Sequence, residues 1–204
     1  MLQRRTMIAA ALAAAPLALT ARRALAATAA ESFVAANIQR GLDILNDASL
    51  SAADRRTRFA AFLMGLTDIR RVALFLLGKY AAGASAEQVN AFVDAFRDYS
   101  LAVYQSYFAQ YAGQSLKVTG SRERAPGDDV VATTVSGAAA SGNATEVDFR
   151  IRSDGPKPVL VDISVAGVWL ALAQRDEFAA VLARSHGDIA ALIQHLRAAE
   201  AQYR

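Results

Sequence analysis

The sequence predicts a mixed α+β domain in which a four-stranded antiparallel sheet packs against helices. Three observations predict it. From about residue 31 to Tyr111, apolar residues recur at helical spacing. Between Gln114 and Val165 the period drops to two, and after Gly167 it becomes helical again. The chain has 204 residues, 54% hydrophobic and 20% charged, which suits one domain with a sizeable core and excludes a disordered chain.

The first 26 residues read as an export signal. Arg4 and Arg5 precede Met7–Thr20, a run with no charge, and Arg22, Arg23 and Ala24-Leu25-Ala26 follow. This is a charged start, an apolar stretch and a small-residue cleavage site. The uncharged run is too short for a membrane span, which needs about 20 residues. Arg4-Arg5-Thr6-Met7-Ile8 resembles the twin-arginine export motif, and both that route and the general secretory route stay open. Residues 27–204 are then one domain, with a helical part (27–112), a sheet (113–168) and C-terminal helices (169–204), expected in the periplasm.

Removing the signal changes the charge balance. It holds four of the 22 basic residues and no acid, leaving 18 against 19 acidic residues and a net charge of −1. The precursor's pI of about 9.4 therefore gives no support to nucleic-acid binding.

Within the helical part, Phe33, Val34, Ile38, Leu42 and Leu45 mark the first helix. Ser51 with Asp54 signals the start of the second, which carries Phe59, Phe62, Leu63 and Leu66 on one face. Asp68 opens the third, Ile69 to Lys79, whose Val72–Leu77 run predicts cover on several sides. Ser85-Ala86-Glu87-Gln88 is a capping box at the head of the longest helix, Ala86 to Tyr111, about 39 Å at 1.5 Å per residue.

The strands follow. Leu116 and Val118 alternate with polar residues, and Val130–Val135 follows Pro126-Gly127. After a Ser/Gly/Ala loop, Val147, Phe149 and Ile151 alternate with charged residues. Gly155-Pro156 turns into Val159, Val161, Ile163 and Val165, with Asp162 and Ser164 expected on the other face. Short turns between four strands predict an antiparallel meander with one buried face, ended by Gly167. Helices at about Leu170–Arg184 and Asp188–Tyr203 complete the chain.

Helices layered on such a sheet can enclose a hollow between the long helix and the strands. The apolar stripes that would face it comprise Phe75, Leu76, Tyr80, Phe96, Tyr104 and Phe108 from the helices, and Val147, Phe149, Ile151, Val161, Ile163 and Val165 from the strands. The same residues would also make a solid core. Trp169, the single tryptophan, stands at the strand–helix junction, where an indole at the rim or one packed on the C-terminal helices both fit.

Chemical motifs are few. With no cysteine and two histidines, His186 and His195, thiol catalysis and cysteine metal sites are excluded and no histidine metal spacing is present. There is no nucleophile elbow and no phosphate-binding glycine loop. Asp94 and Asp98, four apart beside Arg97, read as a solvated helix face. No catalytic residue, metal or cofactor is expected.

Asp68-Ile69, Val72-Ala73, Leu77-Gly78-Lys79-Tyr80, Ser85-Ala86-Glu87-Gln88, Phe92, Phe96-Arg97, Tyr104 and Tyr111 together resemble the MlaC, or toluene-tolerance, family. Val147-Asp148-Phe149-Arg150, Val161-Asp162-Ile163, Ala166-Gly167-Val168 and Gln174-Arg175-Asp176-Glu177-Phe178 continue the likeness in order. The resemblance implies a wedge-like α/β fold with an apolar cavity. It implies a periplasmic carrier that is not an enzyme and moves phospholipid between an outer-membrane lipoprotein complex and an inner-membrane ABC transporter, docking on each transiently. A hopanoid-associated role, as in HpnM-like relatives, is the alternative. Trp169 replaces a small polar residue, often Ser, that the family usually carries there. Two further readings stand beside the carrier: a small α+β enzyme with Asp148 or Asp162 as base, and a module whose aromatic face docks a partner protein. Asp148 alternates with Val147 and Phe149, which points it away from the helices.

Overall fold

In the computed structural model, the described residues are 27–108, 113–136 and 146–203. The expected signal peptide, the side chain of Phe108 and Tyr111 lie outside them. Helix α1 (Ala29–Leu45) starts at Thr28, whose hydroxyl accepts from the Glu31 N–H while the Glu31 carboxylate accepts from the Thr28 N–H. Ser51 caps α2 (Ala52–Leu66) by accepting from the Asp54 N–H, and Asp68 caps α3 (Ile69–Leu77) by accepting from the Arg71 N–H. Helix α3 stops at Gly78, whose φ of 53° an L side chain rarely adopts, and a 3₁₀ segment (Gly78–Gly83) follows. The Ser85–Gln88 capping box forms and starts α4 (Ala86–Phe108). Each cap satisfies backbone donors that a helix start otherwise leaves orphaned.

The sheet has five strands, not four: β1 (Ser115–Ala125), β2 (Asp128–Ser136), β3 (Glu146–Arg152), β4 (Val159–Val165) and β5 (Val168–Trp169). They run as an antiparallel meander in sequence order. The chain does not leave the sheet at Gly167. Ala166 and Gly167, both at positive φ, make a two-residue turn, and Val168 and Trp169 pair back onto Val165 and Ser164. Helices α5 (Leu170–Arg184) and α6 (Ile189–Glu200) close the fold.

Two separate hydrophobic clusters hold the molecule. One is helical: Leu76 and Leu77 of α3, Phe92 and Phe96 of α4, Phe178 and Leu182 of α5, and Leu192 and Leu196 of α6. At its centre the Phe178 ring meets Phe92 and Phe96 edge-on, with centroids 6.1 and 6.4 Å away, a favoured aromatic geometry. The other cluster joins Ala30 and Val34 of α1 to Val131, Ile151 and Leu160 of the sheet. The long helix α4 packs chiefly on α6, α2 and α3, and α1 is the helix laid on β1 and β2. A few polar ties cross between the two parts. Thr67 bridges Leu160 through the backbone, and Arg71 of α3 makes a two-pronged ion pair with Asp154 in the β3–β4 turn, at 2.8 and 2.7 Å.

Two helical glycines test this packing. A Cβ on Gly41 would lie 2.8 Å from the Phe59 ring, where α1 crosses α2, whereas one on Gly65 would meet nothing within 4 Å. Gly41→Ala is expected to destabilise the protein by about 1–3 kcal/mol through overpacking. Gly65→Ala is expected to stabilise it by about 0.5–1 kcal/mol, the helix-propensity gain. Urea-unfolding midpoints of the two variants check both signs.

Candidate ligand cavity

A cavity of about 300 Å³ lies between the helical cluster and the sheet. Leu76 of α3, Phe96, Tyr99, Ser100, Val103 and Tyr104 of α4, and Leu160, Val161, Asp162 and Ile163 of β4 line it. Met64, Thr67, Ile69 and Val72 close one side, and Leu170, Ala171, Ala173, Gln174, Glu177 and Tyr203 close the other. Leu76, Phe96 and Leu160 are buried, while Leu170, Glu177 and Tyr203 are exposed, so the latter three form its rim.

Several polar groups of the wall are engaged within the protein. The Thr67 hydroxyl donates to the Leu63 carbonyl. The Gln174 amide donates to the Tyr99 hydroxyl. Glu177 meets His195 at 3.1 Å. Asp162 Oδ1 accepts from the backbone N–H of Ile163 and of Ala171. Ala171 stands in the first turn of α5, whose N-cap, Trp169, provides no side-chain cap, so Asp162 serves as that cap from β4. Burial raises the Asp162 carboxyl above its ordinary range, against the lowering effect of those N–H groups and of Arg150. Burial, aided by the Asp162 charge, likewise raises the Tyr104 phenol.

Strand β4 is bulged beside Asp162. Arg150 pairs with Asp162 and Ile151 with Leu160, leaving Val161 as an extra residue. A bulge breaks strict alternation. Residues 160 to 163 all border the cavity, although alternation predicted Asp162 on the face opposite Val161 and Ile163.

A smaller recess of about 120 Å³ adjoins the cavity and shares Val72, Val161, Asp162 and Ala171 with it. Arg71, Arg150 and Arg152 line the recess. Arg150 grips the buried Asp128 through Nε and Nη2, at 2.9 and 2.7 Å, and Arg152 reaches the same carboxylate at 3.2 Å. These guanidinium groups hold the Asp128 carboxyl below its usual range. Asp154, between Arg71 and Arg152, is lowered for the same reason.

The expected lining residues fall into several places. Leu76, Phe96, Tyr104, Val161 and Ile163 come together around the cavity. Phe75 borders the recess, 38% exposed, with the Arg175 guanidinium 4.7 Å above its ring. Tyr80 packs on the helical cluster and lies 3.3 Å from the position a Cβ on Gly187 would take. Phe149 and Ile151 stand in the sheet–α1 cluster. Val147 is half-buried opposite Thr133 and Val165, and Val165 is exposed on the β4–β5 turn. Trp169 is half-buried, paired through its backbone with Ser164, and its neighbours Leu170 and Ala171, rather than the indole, line the cavity. Asp148 sits opposite Ala132 and Ser164, away from the cavity lining. Asp94 is exposed and paired with Arg97. Sequence reading missed the α2 end, the α5 start and Tyr203 as cavity wall.

Asp162 offers a test of this wall. Its raised folded pKa means that ionisation costs stability at neutral pH, and the cost fades as pH falls toward the unfolded value near 4. Asp162→Asn, which keeps an acceptor for Ala171, is expected to match or exceed the parent at pH 7, with the gap closing toward pH 4. Asp162→Ala leaves the Ala171 N–H without its partner and is expected to lose about 1–3 kcal/mol. Urea unfolding of both variants across this pH range checks the two signs.

The MlaC protein family matches the chain over residues 35–198. No curated protein matches it. Among solved structures, a phospholipid-binding protein from Ralstonia solanacearum, in complex with a phospholipid, is similar with a TM-score of 0.73 at 22% identity, covering 84% of this chain and 97% of that one. At that identity the likeness is one of fold: mixed helices on an open antiparallel sheet. A family match that spans both the helical part and the sheet carries the assignment, and this chain belongs to the MlaC protein family.

Proposed function

We propose that this protein is a periplasmic lipid carrier. It takes the acyl chains of a phospholipid into the space between α4 and β4, and passes the lipid between an outer-membrane complex and an inner-membrane ABC transporter. The observation that carries the reading is the cavity itself, whose wall is mostly apolar and whose Thr67, Gln174, Glu177 and Asp162 side chains are engaged within the protein. Acyl chains in water cost about 0.8 kcal/mol per methylene, and a wall of Leu, Val, Phe and Tyr removes that cost without chemistry. The binding of Asp162 to two backbone N–H groups favours binding over catalysis, because that oxygen serves as a helix cap. The family membership and the phospholipid found in the Ralstonia protein support the same ligand class, and family membership also supports the periplasmic setting. Among the described residues no helix is long and apolar enough to cross a membrane.

At about 300 Å³ the space is at the lower end for ligand pockets, so taking in a two-chain lipid requires it to widen. Two separate hydrophobic clusters allow that. Moving the helical layer from the sheet leaves both clusters intact but requires the ties between them, Arg71–Asp154, Thr67–Leu160, Asp162–Ala171 and the α1–α2 crossing, to adjust. Next to the rim, Val165, Val168, Leu170 and Leu172 are exposed apolar side chains, a surface suited to lipid entry or docking.

Protein purified from the periplasm, extracted and examined by lipid mass spectrometry, is expected to yield phospholipid in near-stoichiometric amount. Val103, half-buried and on the cavity wall, gives the matching variant. Val103→Trp fills the space from one side and is expected to abolish copurifying lipid while the melting temperature stays within a few degrees. A hopanoid in the extract supports the alternative lipid, and no lipid from a folded parent protein contradicts the carrier reading.

A further inference from the structure

We infer that the arginine-lined recess is the subsite for the phosphodiester of the lipid whose chains occupy the adjoining cavity. This rests on the carrier reading and adds the class of headgroup to it. Arg71 comes from α3, and Arg150 and Arg152 from β3. The recess and the cavity share four wall residues, so a group in one is covalently continuous with a chain in the other at the scale of a single lipid.

With Arg175 on the recess residue Phe75, four guanidinium groups stand against three carboxylates, which favours a monoanion. Two carboxylates, Asp128 and Asp154, serve three guanidinium groups. Asp162, the third carboxylate at the recess, has Oδ1 occupied by backbone N–H groups. Each guanidinium has five N–H donors. Arg71 and Arg150 each give two of theirs to a carboxylate, and the Arg152 Nε is buried with no hydrogen-bond partner among the described residues. Single N–H donors therefore remain on these guanidinium groups, and the non-bridging oxygens of a phosphodiester are acceptors for them. The buried Asp128 holds Arg150 and Arg152 in place beforehand, which lowers the ordering cost of binding. Arg175, outside the recess lining, lies over its wall residue Phe75 with no carboxylate partner among the described residues, adding positive potential. Asp162 repels a second negative charge, so a diester monoanion is favoured over a free phosphate dianion.

The test uses the mature protein, stripped of lipid, and short-chain phosphatidylglycerol against diacylglycerol with the same chains. The parent is expected to bind phosphatidylglycerol at least tenfold more tightly. Arg71→Gln is expected to reduce that preference by roughly tenfold, the scale of a charge-assisted hydrogen bond, with diacylglycerol affinity unchanged within twofold. Arg152→Gln makes the same test if Arg71→Gln fails to fold. Equal parent affinities for the two lipids, or equal loss of both in the variants, overturns the subsite. Inorganic phosphate at millimolar concentration is expected neither to displace the lipid nor to raise the melting temperature, and if it does both the recess is a free-anion site. Failure of the parent to bind either lipid overturns the carrier reading instead, so the two failures are distinguishable.

Discussion

The separation of two hydrophobic clusters is the constraint on which the remaining structure depends. A domain of this size usually buries its elements around one core. Here α3, α4, α5 and α6 bury their stripes on one another, and α1 buries its stripe on the sheet. What lies between them is then a space whose wall is apolar because it belongs to two half-satisfied surfaces: the far side of the α4 stripe and the inner face of β4. The aromatic contacts of Phe178 with Phe92 and Phe96 hold the helical side together, and the paired strands hold the other.

Local irregularities fit the cavity to this boundary. Beside the bulge at Val161, an ionisable group stands at a wall that strict alternation would have kept apolar. The structure turns that group into a cap for α5, joining β4 to the C-terminal helices. The short β5 does similar work. By pairing back onto β4 before α5 begins, it delivers Leu170 and Ala171 to the cavity edge. The arginine recess adjoins the same bulge, since Asp162 and Val161 border both spaces.

Much of this architecture is legible in the sequence because it is written in local rules. Ser51, Asp68 and the Ser85–Gln88 box cap helices where their hydrogen-bonding chemistry places them. Alternation in Val147–Arg152 and Val159–Val165 yields β3 and β4. Features set by tertiary geometry were less legible. A two-residue strand is too short for a periodic signal, and a bulge moves one residue without changing composition, so β5 and the orientation of Asp162 appear only in three dimensions. The apolar stripes identify which residues leave water but not which cluster receives them. Ile151 and Phe149 join the α1 side and Tyr80 joins the helical side, while Leu76, Phe96 and Ile163, with similar sequence patterns, border the space between.

The most direct measurement is the position at which a lipid chain contacts the protein. A phospholipid carrying a photoreactive group near the end of one acyl chain would be bound to the mature protein, crosslinked and mapped by peptide mass spectrometry. Adducts on α4 between Phe96 and Tyr104 and on β4 between Leu160 and Ile163 are the predicted result, because both walls border the same cavity. Adducts confined to the exposed Val165 and Val168, or found in the α1–sheet cluster around Val34 and Val131, would contradict a chain held between the two clusters.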